Sequence, residues 1–134
     1  VRGRRLFAVG DGRQRLSLTS VRNLAQACLL AAAGPVRSGV YNIADAEPVT
    51  LDEALRALLR ERRIPAEPCY LPRRLAEPLA GAVEALCRAA GRVPAVTRYA
   101  VAHLAVERTL DITAARKDLD YRPEPTSFAG AATW

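Results

Sequence analysis

The alternation of apolar and polar positions divides the chain into short extended runs and amphipathic helices. The clearest unit is GVYNIADAEPVTLDEALRALLRER, from Gly39 to Arg62. Val40, Tyr41 and Ile43 are β-branched or aromatic, entered from Ser38-Gly39 and left at Asp45-Ala46-Glu47-Pro48, which predicts a buried strand over 40–44. Thr50 followed by Glu53 predicts a capping box, in which the threonine hydroxyl accepts from an orphan helical amide and the glutamate reaches back. Leu51, Ala54, Leu55, Leu58 and Leu59 then recur at helical spacing and leave Asp52, Glu53, Arg56, Arg60 and Arg62 for solvent. A strand feeding a capped helix is an α/β signature.

The same reading extends to both sides. Leu6, Phe7 and Val9 predict a strand over 5–9 that breaks at the Gly10-Asp11-Gly12 turn. Leu16 and Leu18 alternate with Ser17 and Thr19, a short strand ending near Val21. Asn23 is read as the start of a helix over 24–33, its small and leucine-rich face formed by Leu24, Ala27, Cys28 and Ala31, and Gly34-Pro35 as its stop. Downstream, 64–68 reads as a loop and 69–71 as a brief extended piece. A helix follows Pro72 with Leu75, Leu79, Val83, Leu86 and Cys87 at three- and four-residue intervals, and Pro78 as a kink or restart. Gly91-Arg92-Val93-Pro94 ends it, and a second helical run follows Thr97 with Val101, Leu104 and Ala105 on one face. Residues 109–112 read as extended, with Asp111 or Thr113 capping a last helix over 114–119. Asp120 then stands at a left-handed turn that aspartate tolerates less well than glycine. Tyr121 and Pro123 are packing residues, Thr126 is a cap, and Phe128 and Trp134 are apolar anchors in the tail.

Composition narrows the class. With 134 residues, half of them apolar, the chain suffices for one domain, 1–134, with one core. Arg22, Arg37, Glu77, Glu84 and Arg88 interrupt every apolar run before the ~20 residues of a membrane span, and the start VRGRRLFAVG lacks the pattern of a signal peptide. The net charge of +6 would suit nucleic acid, but the arginines are spread from Arg2 to Arg122 without zinc-finger spacing or an aromatic RNA-binding signature. Solvated helix faces account for the charge, and no nucleic-acid partner is expected. Cys28, Cys69 and Cys87 are odd in number and lack C-x-x-C spacing, which predicts free thiols in a reducing, cytoplasmic setting, with Cys28 and Cys87 as small buried hydrophobes. The single histidine, His103, reads as a helix-surface or interface residue.

Three segments carry a family resemblance. YNIADAEPVTLDEALRALL resembles the late strand-turn-helix of extended short-chain dehydrogenases/reductases, the superfamily of nucleotide-sugar epimerases, dehydratases and 3β-hydroxysteroid dehydrogenase-like enzymes. Upstream, GDGRQRLSLTSVRNLAQACLLAA is similar to that family's G-x-G loop, strand and V-x-N/D-L-A helix. Downstream, TLDITAARKDLDYRP is similar to its D-x-S/T-x-A-R-x-x-L-G-Y-x-P close. The resemblance covers nearly the whole chain, and all three landmarks belong to the C-terminal, substrate-binding part of such enzymes. It implies an α/β fold, the C-terminal part of an extended Rossmann-type enzyme, mostly helical with a few short strands. LTSVRN and RTLDITAAR lean toward the 3β-hydroxysteroid dehydrogenase-like branch.

What the resemblance implies about chemistry is NAD- or NADP-dependent oxidation or reduction of a secondary alcohol or ketone on an apolar small molecule. The family's G-x-x-G-x-x-G turn and Y-x-x-x-K pair are not in this sequence: no lysine lies four residues after Tyr41, Tyr70, Tyr99 or Tyr121, and Lys117 is the sole lysine. Together with the absence of methionine, this favours a C-terminal portion whose cofactor-binding part lies elsewhere, so that neither NAD nor NADP is bound by these residues alone. Catalytic and metal-binding residues are not expected here. The resemblance points to Arg13, Arg15 and Asn23 as substrate contacts, the latter two through R-x-S-x-x-x-V-x-N, with arginine offering a planar fork of donors. Ser20 stands where the family usually has tyrosine or histidine, which removes any aromatic contact there. A nucleotide-sugar epimerase or dehydratase portion is the alternative within the class, with a homodimer of the full enzyme compatible with either. A non-catalytic remnant or small protein-interaction module using the apolar strand from Val40 is the alternative outside it.

Overall fold

The computed structural model describes residues 4–34, 39–94 and 96–129. The expected helix stop at Pro35, strand entry at Ser38 and anchor Trp134 lie outside these residues. Among the described residues the fold is mixed α/β with five helices and a few short strands. In order these are β1 (Arg4–Val9), β2 (Arg15–Leu16), α1 (Val21–Ala33), β3 (Val49–Thr50), α2 (Leu51–Glu61), β4 (Ala66–Leu71), α3 (Arg73–Ala89), α4 (Arg98–Leu104) and α5 (Thr113–Leu119). β1 and β4 pair in parallel from Arg4↔Ala66 to Val9↔Leu71, and β2 pairs with β3.

The chain forms two compact units, Val1–Gln14 with Thr50–Glu107, and Arg15–Val49 with Arg108–Trp134. Where composition predicts one core, each unit carries its own buried cluster. In the first unit Ala76 and Ala80 of α3 and Val101 of α4 are buried, with Val9 and Leu71 packed against them. α3 therefore turns its small residues inward, whereas Leu75, Leu79 and Leu86, the expected core face, are exposed. α3 runs unbroken through Pro78 from Pro72, which occupies the N-cap. β4 begins inside the predicted loop and includes Pro68, tolerated because β4 is an edge strand paired on one side only.

α2 follows the local rules closely. Thr50 Oγ1 accepts from Glu53 N at 3.2 Å while Glu53 Oε2 accepts from Thr50 N at 2.9 Å, completing the capping box. The remaining first-turn amides, Leu51 N and Asp52 N, donate to the carbonyls of Gln14 and Gly12. At the other end Ile64 N donates to Leu59 O and Arg63 N to Arg60 O, the paired closure of a Schellman motif. Arg63 stands at its left-handed position, with φ 51°, where glycine is usual.

In the second unit the core is Ala27, Ala44, Ile112, Ala115, Leu119 and Tyr121. Residues 40–44, predicted as a buried strand, form no strand; Val40 is 97% exposed while Ala44 is buried. The segment is held by isolated bonds instead: Asp45 N donates to Leu18 O, Thr19 Oγ1 to Ile43 O and Asn42 Nδ2 to Asp111 O. α1 starts earlier than predicted. Its N-cap is Ser20, whose hydroxyl accepts from Asn23 N at 3.2 Å, and Asn23 lies inside the helix. Cys28, expected to be buried, is exposed, as are Leu24 and Leu29, because among the described residues nothing covers that face. α5 ends as expected, with Asp120 left-handed at φ 51°, ψ 36° and Tyr121 buried beside it, its hydroxyl donating to Ala44 O at 2.9 Å.

Candidate functional site

The first unit holds a half-open cavity of about 510 Å³ lined by apolar residues. Phe7, Ala8 and Val9 of β1 and Leu71 of β4 form one wall, and the face of α3 around Ala80 and Val83 another. The sequence produces this by placing alanines at 76 and 80, which leave volume beside β1 and β4 that Leu79 and Val83 border without filling. Such a space suits a mostly apolar small molecule. The α3 and α4 periodicities were visible in the sequence; the direction each face takes was not, because it depends on which residues meet β1 and β4.

The Gly10-Asp11-Gly12 turn at the end of β1 is built around backbone that only glycine adopts freely. Gly10 has φ 100° and Gly12 φ 78°, and a Cβ on Gly12 would lie 2.6 Å from Cζ of Tyr70. Gln14, next to this turn, is buried; its Nε2 donates to Val9 O and to Leu104 O, both at 2.9 Å, while its Oε1 has no partner among the described residues. A buried acceptor of that kind calls for a hydroxyl or amide donor. Sequence reasoning passed over Gln14, whose only signal is a polar residue between two arginines.

Tyr70 is tied to α2. Its hydroxyl donates to Asp52 Oδ1 at 2.7 Å, and Arg56 Nε donates to Asp52 Oδ2 at 2.8 Å. The hydrogen bond from Arg56, followed by that from Tyr70, holds the Asp52 carboxyl below its ordinary 3.8. Burial, followed by the bond to Asp52, pushes the Tyr70 phenol up to about 12. The signs follow by linkage. Asp52 contributes stability that is present above 3.8 and lost as pH falls through its lowered value; Tyr70 contributes stability present below 10.0 and lost as pH rises towards 12. Ultraviolet titration of tyrosinate should therefore show one phenol ionising near pH 12, absent from Tyr70→Phe. A Tyr70→Phe variant that lost a phenol ionising near pH 10 in place of the one near 12 would refute this contact.

The three residues singled out by the resemblance each have their own local partners. Arg13 belongs to the first unit, where it is exposed and its backbone N–H donates to Asp11 Oδ1 at 2.9 Å. Arg15 and Asn23 belong to the second unit and share no partner. Arg15 is exposed, with Nη2 reaching Pro48 O at 3.4 Å. Asn23 is only 2% exposed, and its amide is consumed by its own chain: Nδ2 donates to Asp45 Oδ1 at 2.7 Å and Glu124 O at 2.9 Å, and Oδ1 accepts from Glu124 N at 2.9 Å. This places Asn23 as a buried strut joining α1 to Asp45 and Glu124. Asp45, also buried, completes the cluster by accepting from Ser20 N and Thr126 Oγ1.

The N-terminus of α2, the natural seat for a pyrophosphate, is closed by the capping box and by the carbonyls of Gly12 and Gln14. No group of three His, Cys, Asp or Glu among the described residues could hold a metal ion. No helix among them is long and apolar enough to cross a membrane. His103 lies on α4, exposed and stacked on Tyr99 at 5.5 Å.

No family model matches the chain. It is similar to Uncharacterized protein YbjS of Escherichia coli (strain K12), 34% identical over 98 residues that cover 71% of this chain and 29% of that protein. Its fold is similar to a solved structure described as "Crystal structure of gox2253", with a TM-score of 0.59 and 25% identity, over 89% of this chain and 35% of that one. The chain thus spans about a third of the length of the proteins it resembles.

Proposed function

We propose that the chain is the substrate-side portion of an NAD(P)-dependent oxidoreductase of the extended short-chain dehydrogenase/reductase type, acting on a secondary alcohol or ketone of an apolar molecule. The observation that carries this reading is the 510 Å³ cavity lined by apolar residues. It favours a hydrocarbon-rich substrate over a nucleotide-sugar, whose pyrophosphate and hydroxyls would lose their hydration without replacement there. Because the N-terminus of α2 is closed and the sequence has no G-x-x-G-x-x-G turn, NAD or NADP would be held by another part of the polypeptide, and the role left to these residues is to bind and orient the substrate and exclude water. The similarity to proteins about three times longer is compatible with that division of labour.

Methyl-resolved NMR of the chain tests it. A steroidal ketone should shift the methyl resonances of Val9, Leu71 and Val101, a nucleotide-sugar should not, and Val83→Trp should weaken the ketone about tenfold by filling the cavity. Binding of the nucleotide-sugar in place of the ketone would overturn the substrate class. A polypeptide containing this chain and a dinucleotide-binding part that failed to turn over any such alcohol with NAD or NADP would overturn the activity.

A further inference from the structure

The first unit has a second concavity, of about 300 Å³, at the C-terminal end of α2, and its chemistry differs from that of the apolar cavity. Arg56, Arg60 and Arg63 line it together with the apolar Leu59, Ile64 and Pro65. Arg56 and Arg60 share one helix face at i, i+4 spacing, and Arg63, at the left-handed turn just beyond the helix, lines the same hollow. The carboxylates nearby do not neutralise it. Asp52 is engaged by Arg56 and Tyr70, Glu67 of β4 lies within electrostatic range of Arg56, and neither Arg60 nor Arg63 forms an ion pair among the described residues.

The partial negative charge at a helix C-terminus accounts for Arg60 in the last turn. It does not account for Arg63. That residue sits beyond the helix at the Schellman position, where a side chain is strained and glycine is the lower-energy choice, and it lines the same hollow as Arg60. A strained residue that places charge in a concavity points to a use for that charge.

We infer that this hollow binds an organic phosphate monoester. The two uncommitted guanidiniums match a dianionic phosphate, arginine forks fit its oxygens, and Leu59, Ile64 and Pro65 offer an apolar floor to the attached organic group. The site stands independently of the oxidoreductase reading.

Calorimetric titration of the full chain with phenyl phosphate, inorganic phosphate and phenol tests it. Phenyl phosphate should bind several-fold more tightly than inorganic phosphate, and phenol should not bind measurably. Arg60→Gln and Arg63→Gly should each weaken phenyl phosphate about tenfold. Arg63→Gly separates binding from folding, because it relieves the left-handed strain and should raise Tm by about 4 °C while binding falls. Overturning results are no saturation by phenyl phosphate, equal affinity for inorganic phosphate, or an Arg63→Gly variant that melts higher and binds phenyl phosphate as tightly as the parent.

Discussion

Asn23→Asp should abolish the fold of the second unit at neutral pH and return part of it in acid. The substitution is isosteric, so packing around α1 is unchanged. It converts an amide that donates to Asp45 at 2.7 Å into a second buried carboxylate at that distance, and it removes the donor to Glu124 O. Like charges in a buried site, with two bonds lost, should cost about 4 kcal/mol, most of a marginal unit's stability. One of the two carboxyls then has a folded pKa above its unfolded value. The penalty is therefore full above the folded pKa and shrinks as pH falls through it towards ~4. Asn23→Ala loses these two bonds and the one from Glu124 N as well, without the added charge, so its deficit should not recover in acid in this way. Urea melts followed by circular dichroism at neutral and acid pH distinguish the two. An Asn23→Asp protein as stable as the parent at neutral pH would show that the Asn23–Asp45–Glu124 cluster is not what holds α1.

Gly12→Ala should have a comparable effect in the first unit. Part of the cost is conformational, about 1–2 kcal/mol for an L-residue at φ 78°. The rest is steric: the new methyl would lie 2.6 Å from Tyr70 Cζ, and the ring cannot swing away without surrendering its bond to Asp52. Together these should amount to about 3 kcal/mol. A double-mutant cycle separates them, since in a Tyr70→Leu background only the conformational part should remain. Equal costs in both backgrounds would mean that Tyr70 does not pack on the turn.

These two positions show which parts of the molecule could be read from the chain and which could not. The Thr50–Glu53 capping box and the left-handed Asp120 were legible because each is settled within a few residues by local backbone chemistry. The glycine turn was legible as a turn, but the ring of Tyr70 that makes Gly12 irreplaceable comes from the far side of α2. Asp45 looked like a strand-ending turn residue. Its partners Ser20, Asn23 and Thr126 are scattered from one end of the chain to the other, and no periodicity announces them. Residues 40–44 were misjudged because β-branched composition reports fitness for a pleated ladder, not the presence of one. The cavity was half legible. The helices bounding it show in the spacing of their apolar residues, but the alanines that open the space are silent in a hydrophobic pattern dominated by leucine.

The parallel pairing of β1 with β4 has a consequence for how the molecule assembles. Its first register contact joins Arg4 to Ala66, and the whole second-unit segment Arg15–Val49 lies inside that loop. Closing a loop of roughly 60 residues costs entropy before any strand contact repays it, and contacts this distant in sequence slow the search for the native state. The second unit is discontinuous in the same way and needs residues from Arg108 onward to complete it. During synthesis neither unit can finish until the late part of the chain has emerged, so α2, with a capping box and a C-terminal turn supplied by its own sequence neighbours, is the natural place for structure to accumulate first.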